Sequence, residues 1–116
     1  MTTTHRYKAA VIIPSRGGAE ILHYPLDALK NQTEKDFQVI VVLDGDIDNS
    51  EAVLDRYIAE GTLNLSKIVF DENRGRVSAL NAGHRAANAD ILIRCDDDLQ
   101  PKADYVEAQI RLHRDY

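Results

Sequence analysis

The residues best placed to do chemistry are Asp96, Asp97 and Asp98, which follow directly on an apolar run of strand length, Ile91-Leu92-Ile93-Arg94-Cys95. Three adjacent carboxylates repel one another, so a fold that keeps them at a strand end most often has a cation to offset the cost. Hard oxygen donors point to magnesium or manganese rather than zinc. Magnesium held by one or two carboxylates usually completes its shell with water and substrate phosphates. The same three residues also suit a solvated acidic turn that caps the next helix. This stretch alone does not separate the two.

A second apolar run, Phe37 to Leu43, ends in carboxylates as well: Asp44-Gly45-Asp46-Ile47-Asp48. A calcium loop fits poorly, because a strand precedes it and Asn49 stands where the tight-turn glycine of an EF-hand belongs. An aspartate after a hydrophobic strand, with another two residues on, also suits the nucleophile loop of an aspartate-dependent phosphatase. A third use is a carboxylate that accepts hydrogen bonds from a nucleobase or ribose at a strand end. A plain turn with a helix cap competes with all three. Arg74-Gly75-Arg76 adds two cations at a predicted helix N-terminus, where the free N–H groups and the dipole already favour a diphosphate; a solvated pair is the alternative. Ser15-Arg16-Gly17-Gly18 is a turn that can bring backbone close to a ligand. His5, His23, His84 and His113 show no ligand spacing, and His84 is expected to serve helix packing. No P-loop or nucleophile-elbow pattern is present.

The elements that must position these residues follow from periodicity. Tyr7 to Pro14 and Phe37 to Leu43 read as strands buried on both faces because the apolar residues run without alternation, and Leu65 to Phe70 and Ile91 to Cys95 read as two further strands. Between them lie helices. The first carries Leu22, Leu26 and Leu29 on one face, its regular part starting near Pro25. The second carries Val53, Leu54, Tyr57 and Ile58, with Asp48 or Ser50 as its cap and Gly61 closing it. The third carries Val77, Leu80, His84 and Ala87, beside a small-residue stripe of Ala79, Gly83 and Ala86. A fourth starts near Pro101 with Val106 and Ile110 four apart. Strands alternating with helices predict an α/β domain with a parallel sheet. Ligands of such sheets bind at the carboxyl ends of the strands. All four of those ends are polar here, which points to one site for a metal and a phosphorylated ligand.

Composition fits this picture. The chain has 116 residues, 44% hydrophobic and 28% charged, ordinary globular values for one domain. Its net charge of -5 and lack of a basic stripe argue against nucleic acid as a partner. Cys95 is the single cysteine and sits in an apolar strand pattern, so a buried core thiol is expected. No run approaches the roughly 18 apolar residues of a membrane helix, and the start, Met1 to Arg6, lacks the apolar region of a signal peptide. A cytoplasmic location is the expectation.

Taken in order, these segments resemble the N-terminal half of a family 2 glycosyltransferase of the GT-A fold. Val11-Ile12-Ile13-Pro14-Ser15 is similar to the family's first strand and its ending. Val41-Val42-Leu43-Asp44-Gly45 with Asp48 is similar to its Val-Val-Asp-Asp-Gly-Ser-x-Asp segment. Asn73-Arg74-Gly75-Arg76 through Ala79-Leu80-Asn81-Ala82-Gly83 matches its Asn-x-Gly-Lys-x-x-Ala-Leu-Asn-x-Gly pattern, and Asp96-Asp97-Asp98 falls on its Asp-x-Asp motif. The resemblance implies a three-layer α/β sandwich with a mainly parallel, Rossmann-like sheet of about four strands. It implies inverting transfer from a nucleoside-diphosphate sugar, expected to be a UDP-sugar, to an acceptor hydroxyl, with Mn2+ or Mg2+ as cofactor. Pro14, Ser15 and Asp44 would contact the base with Arg16 near them, and Arg76, standing for the family's frequent lysine, would lie near base or diphosphate. Asp96 would approach the ribose and share the metal with Asp98, while Asp97, counted with the nucleotide-sugar residues, is the member of the triad most readily left to solvent. Leu43 replaces the first aspartate of the family's pair, leaving Asp44 alone to grip the base. The family's catalytic domains are longer than this chain, so residues 1–116 are expected to be a single donor-binding domain truncated at its C-terminus, with the general base beyond residue 116. A bare sheet edge would then favour a homo-oligomer. The alternatives are a nucleotide-binding module without turnover and the phosphatase-like hydrolase centred on Asp44 and Asp46.

Overall fold

The computed structural model describes residues 6–45 and 47–115. Strands and helices alternate throughout: β1 (Tyr7–Ser15), α1 (His23–Lys30), β2 (Phe37–Leu43), α2 (Ser50–Glu60), β3 (Leu65–Val69), α3 (Arg76–Ala86), β4 (Ala89–Arg94) and α4 (Tyr105–Asp115). The strands form one sheet in the order β3-β2-β1-β4, with every pairing parallel. The expected α/β sandwich with a parallel sheet is therefore what the chain builds. Its strand order reverses between β1 and β4, which makes the carboxyl ends of those two strands the switch point where such sheets bind ligands.

The continuous apolar runs arise because each central strand packs on both faces. On one face Ala9, Val11, Ile13, Val39, Val41 and Leu43 meet Leu22, Leu26 and Leu29 of the α1 region, Val53 and Leu54 of α2, and Val106 of α4. On the other, Ile12, Ile40 and Val42 meet Ala79 of α3 together with Phe70. Fully burying one such isoleucine or leucine stabilises the fold by about 1.5–3 kcal/mol, before the entropy of ordering the chain is set against it. Cys95 is buried at the end of this core as expected, and its thiol is pushed up to about 12, chiefly by burial and then by the neighbouring aspartates.

The helices depart from expectation in instructive places. In α3, Val77 is 72% exposed and His84 is exposed, so neither belongs to the packing face. Ala79 and Gly83 turn to the sheet instead, with Leu80 and Ala87 partly buried beside them; Ala86 is exposed. A Cβ on Gly83 would stand 2.5 Å from Ile12 Cγ2, so only glycine allows this approach. Helix α4 begins at Tyr105 rather than Pro101. The carbonyls of the intervening segment are taken from outside the helix: Gln32 Nε2 donates to Lys102 O at 2.7 Å and Thr33 N–H donates to Ala103 O at 2.8 Å. The buried Gln32 then accepts the Val106 N–H at 2.9 Å, so one side chain of the α1 region sets where α4 starts. Helix α1 begins at His23, two residues before Pro25, and helix starts tolerate a missing N–H at such a position. Neither Asp48 nor Ser50 caps α2. Asn49 holds that position in the left-handed region, and the Ser50 hydroxyl donates to the Asp48 carboxylate. Gly61 closes α2 at φ 77°, as its place in the sequence predicts.

Candidate functional site

Ser15 ends β1 at the switch point and is 5% exposed. Its hydroxyl donates to Asp97 Oδ2 at 2.8 Å, a bond that crosses from the end of β1 to the end of β4. The turn that follows needs its glycines. Gly17 adopts φ +70°, and a Cβ on Gly18 would collide with Ser15 Oγ. Ser15 also fixes its other neighbour, because its carbonyl accepts the Asp44 N–H at 2.8 Å.

Asp44 is buried, 6% exposed, and both of its carboxylate oxygens are engaged. Oδ1 accepts the Arg74 N–H at 2.6 Å and Oδ2 accepts the Gly75 N–H at 2.9 Å. Charge-assisted bonds of this kind are short and strong. They tie the end of β2 to the turn that opens α3, where Gly75 has φ 93°. This linkage splits the two arginines. Arg76 starts α3 at the cleft, whereas Arg74 stacks with its Cζ 4.7 Å from the centre of the Phe70 ring. A carboxylate occupied by two backbone N–H groups is a poor nucleophile, which counts against the phosphatase-like reading; Asp46, its second residue, lies outside the described residues. Asp48 accepts from the Ala19 N–H at 3.0 Å, tying the loops after β1 and β2 together. The Ser50 hydroxyl, more than that N–H, holds the Asp48 carboxyl below its ordinary value of 3.8.

The carboxylates after β4 are held differently. Asp96 Oδ1 lies 3.6 Å from Arg76 Nη2 and 3.5 Å from Arg94 Nη2. Asp97 is partly buried against Ser15, and Asp98 is exposed. The expectation that Asp97 goes to solvent is thus corrected, because the Ser15 hydroxyl draws it inward and leaves Asp98 outside. Together these loops enclose a cleft of about 260 Å³ lined by Pro14, Ser15, Arg16, Asp44, Arg76, Ala79 and Asp97. Asp96 and Asp98 are not in its wall, though Asp96 touches it through Arg76. A larger hollow, about 480 Å³, lies between α1 and α2, away from the strand ends. Within it Lys30 pairs with Glu60 at 2.8 Å and the Tyr57 hydroxyl with Asp27 at 2.7 Å, whereas the smaller cleft lies at the carboxyl ends of the strands, where parallel sheets bind ligands, and is the better candidate. Arg94, a lone cation inside an apolar strand run, also stands at this strand end, beside Asp96.

The donor set at Asp96–Asp98 suits a hard divalent cation. Among the described residues no three His, Cys, Asp or Glu side chains are grouped to hold a metal on their own. Carboxylates that supply one or two positions and leave the rest to water and phosphate fit magnesium or manganese, and here they adjoin a cleft with an arginine on its wall.

The model of the family described as Glycosyl transferase family 2 matches residues 10–116. The chain belongs to glycosyl transferase family 2. Among its family 2 relatives, an uncharacterized glycosyltransferase, YfnE of Bacillus subtilis (strain 168), is 36% identical over 107 residues, covering 91% of this chain and 27% of that protein. Of solved structures, the mannosyltransferase PcManGT from Pyrobaculum calidifontis, in complex with GDP-Man and Mn2+, superposes with a TM-score of 0.81 at 28% identity, over 91% of this chain and 32% of that one. S. aureus TarS 1-349 in complex with UDP-GlcNAc superposes with a TM-score of 0.84 at 21% identity, over 93% and 31%, a likeness of fold. The chain spans about a quarter of the length of the curated relatives it matches, 27% for YfnE. The fold is that of the GT-A glycosyltransferases. Among the described residues no helix is long and apolar enough to cross a membrane.

Proposed function

We propose that this family 2 chain is the donor-binding part of a longer, metal-dependent inverting glycosyltransferase that acts in the cytoplasm. The observation that carries this reading is the cleft at the β1/β4 switch point, closed by the Ser15–Asp97 hydrogen bond and floored by Asp44 and Arg76. In the proposed site a nucleoside-diphosphate sugar lies with its base toward Pro14, Ser15, Arg16 and Asp44. Leu43 is buried and supplies no second carboxylate there, so Asp44 meets the base through the lone pairs that its two backbone N–H partners leave free. Arg76 and the first N–H groups of α3 face the diphosphate, where guanidinium and helix dipole both favour negative charge. Asp97, held by Ser15, joins the donor-binding set, and Asp96 and Asp98 hold Mn2+ or Mg2+. The metal would supply Lewis-acid stabilisation of the charge that builds on the departing nucleoside diphosphate. Support for a bound nucleotide sugar and divalent cation comes from the mannosyltransferase relative at 28% identity, which carries GDP-Man and Mn2+. The general base that deprotonates the acceptor's hydroxyl belongs to the rest of the enzyme.

Thermal denaturation tests the reading. UDP or GDP at millimolar concentration should raise the melting temperature only when Mn2+ or Mg2+ is present. The absence of any shift with either nucleotide and either metal would refute it. Consumption of a nucleotide sugar by the longer protein separates an enzyme from a binding module without turnover.

A further inference from the structure

Arg94 is the last residue of β4 and pairs in register with Ile12, so its side chain shares the sheet face on which α3 packs. Its guanidinium is about half exposed and reaches Asp96 Oδ1 at 3.5 Å, and Arg76 Nη2 reaches the same oxygen at 3.6 Å. One carboxylate oxygen therefore stands between two guanidiniums delivered by different elements, the end of a strand and the start of a helix. Two cations thus meet at this one oxygen. Both contacts are long and half exposed, the class of ion pair that contributes little to stability and exchanges partners readily. The other cations of the strand ends are differently engaged: Arg74 stacks on Phe70, and Arg16 lines the cleft. Asp97 and Asp98 stand beside this pair, so the two arginines converge on one point at the edge of the cleft within an otherwise acidic strand end. A guanidinium presents forked donors that match phosphate oxygens, and a diphosphate offers more oxygens and more charge than the single carboxylate between these two.

We propose that Arg94 is a second phosphate-binding guanidinium of the site, acting with Arg76 on the diphosphate of the donor. Asp96 bridges the two arginines in the free chain and gives up that contact when the diphosphate and its cation bind. This inference rests on the reading of the cleft as a nucleoside-diphosphate site, and it adds a residue that the cleft wall does not contain.

Calorimetric titration of the chain with UDP and GDP in the presence of Mn2+, with uridine and guanosine as phosphate-free controls, tests it. Arg94→Ala should weaken binding of the preferred diphosphate on the order of tenfold, as expected for losing a hydrogen-bonded charge. Binding of the matching nucleoside should stay within about twofold, because only the phosphate contact is removed. Arg94→Lys should recover part of the loss, since it restores the charge without the fork. Far-ultraviolet circular dichroism and melting of both variants should match the unaltered chain; if Arg94→Ala unfolds, Arg94→Gln takes its place. Unchanged diphosphate affinity in the variants would overturn the inference while leaving the site reading intact. Equal losses for diphosphate and nucleoside would overturn it too, by showing that Arg94 acts on the shape of the cleft. Failure of the unaltered chain to bind any of these compounds would refute the site reading, and the inference with it.

Discussion

Asp44 at the end of β2 and Asp96, Asp97 and Asp98 at the end of β4 look alike in the sequence, each following an apolar strand, but the chain treats them differently. Asp44 is buried, and its partners are backbone N–H groups of the turn before α3. The β4 aspartates are partly or fully exposed, and the partners of Asp96 and Asp97 are side chains: Arg76, Arg94 and Ser15. A carboxylate satisfied by backbone is part of the scaffold, because removing it takes the acceptor from two N–H groups of one turn, of which only Gly75 N–H keeps another, Asn73 Oδ1 at 3.0 Å. One satisfied by half-exposed arginines, as Asp96 is, can exchange them for a metal or a phosphate at small cost. Burial and partner type, rather than acidity, separate the two ends.

The largest expected effect breaks the scaffold end. Asp44→Ala removes two charge-assisted bonds and should cost about 3 kcal/mol, on the scale of hydrogen bonds to charged groups. For a chain of this size that lowers the melting temperature by about 10 °C, and nucleotide binding should be lost with it as the α3 turn drifts. A melting temperature unchanged by Asp44→Ala would erase the distinction between the two ends.

Ser15→Ala should come next. It removes one hydrogen bond and should cost about 1 kcal/mol, while releasing Asp97 from the cleft and weakening metal-dependent nucleotide binding. Asp98→Ala should leave the melting temperature nearly unchanged, within about 0.5 kcal/mol of stability as for other exposed positions, and yet abolish the metal-dependent part of the nucleotide shift. Denaturation curves with and without ligand separate these outcomes.

Much of this arrangement was legible in the sequence, and the exceptions share a physical cause. The strands could be read because burial on both faces leaves continuous apolar runs such as Val39 to Leu43, and their polar ends fall together on one edge of the sheet. Helix α3 misleads because its contact with the sheet is made by Ala79 and Gly83, whose smallness is the point, while the larger Val77 faces water. The start of α4 was hidden because Gln32, distant in sequence, decides it through bonds to Lys102 and Val106. No periodicity distinguishes Asp97 from Asp98 in a loop, and only the Ser15 hydroxyl reaching across from β1 turns one inward. In each case a contact between elements overrode the local pattern.

The smallest expected effect concerns acid. The Asp48 carboxyl is held below its ordinary value of 3.8, chiefly by the Ser50 hydroxyl, so its contribution to stability is complete above that value and is lost as the pH falls through the lower folded value. Melting curves of Asp48→Asn should therefore fall less steeply with acid below about pH 4 than those of the unaltered chain. Parallel slopes would remove Asp48 from the scaffold end.

Manganese broadening of backbone amide resonances in the presence of a nucleoside diphosphate tests the central contrast most directly. Substoichiometric Mn2+ with UDP or GDP should first erase the signals of Asp96, Asp97 and Asp98 and of Ser15 and Arg76, with residues 48–50 broadened only as more Mn2+ is added. Broadening centred on the loop after β2, or scattered evenly over the acidic surface, would contradict the assignment of the metal to the end of β4.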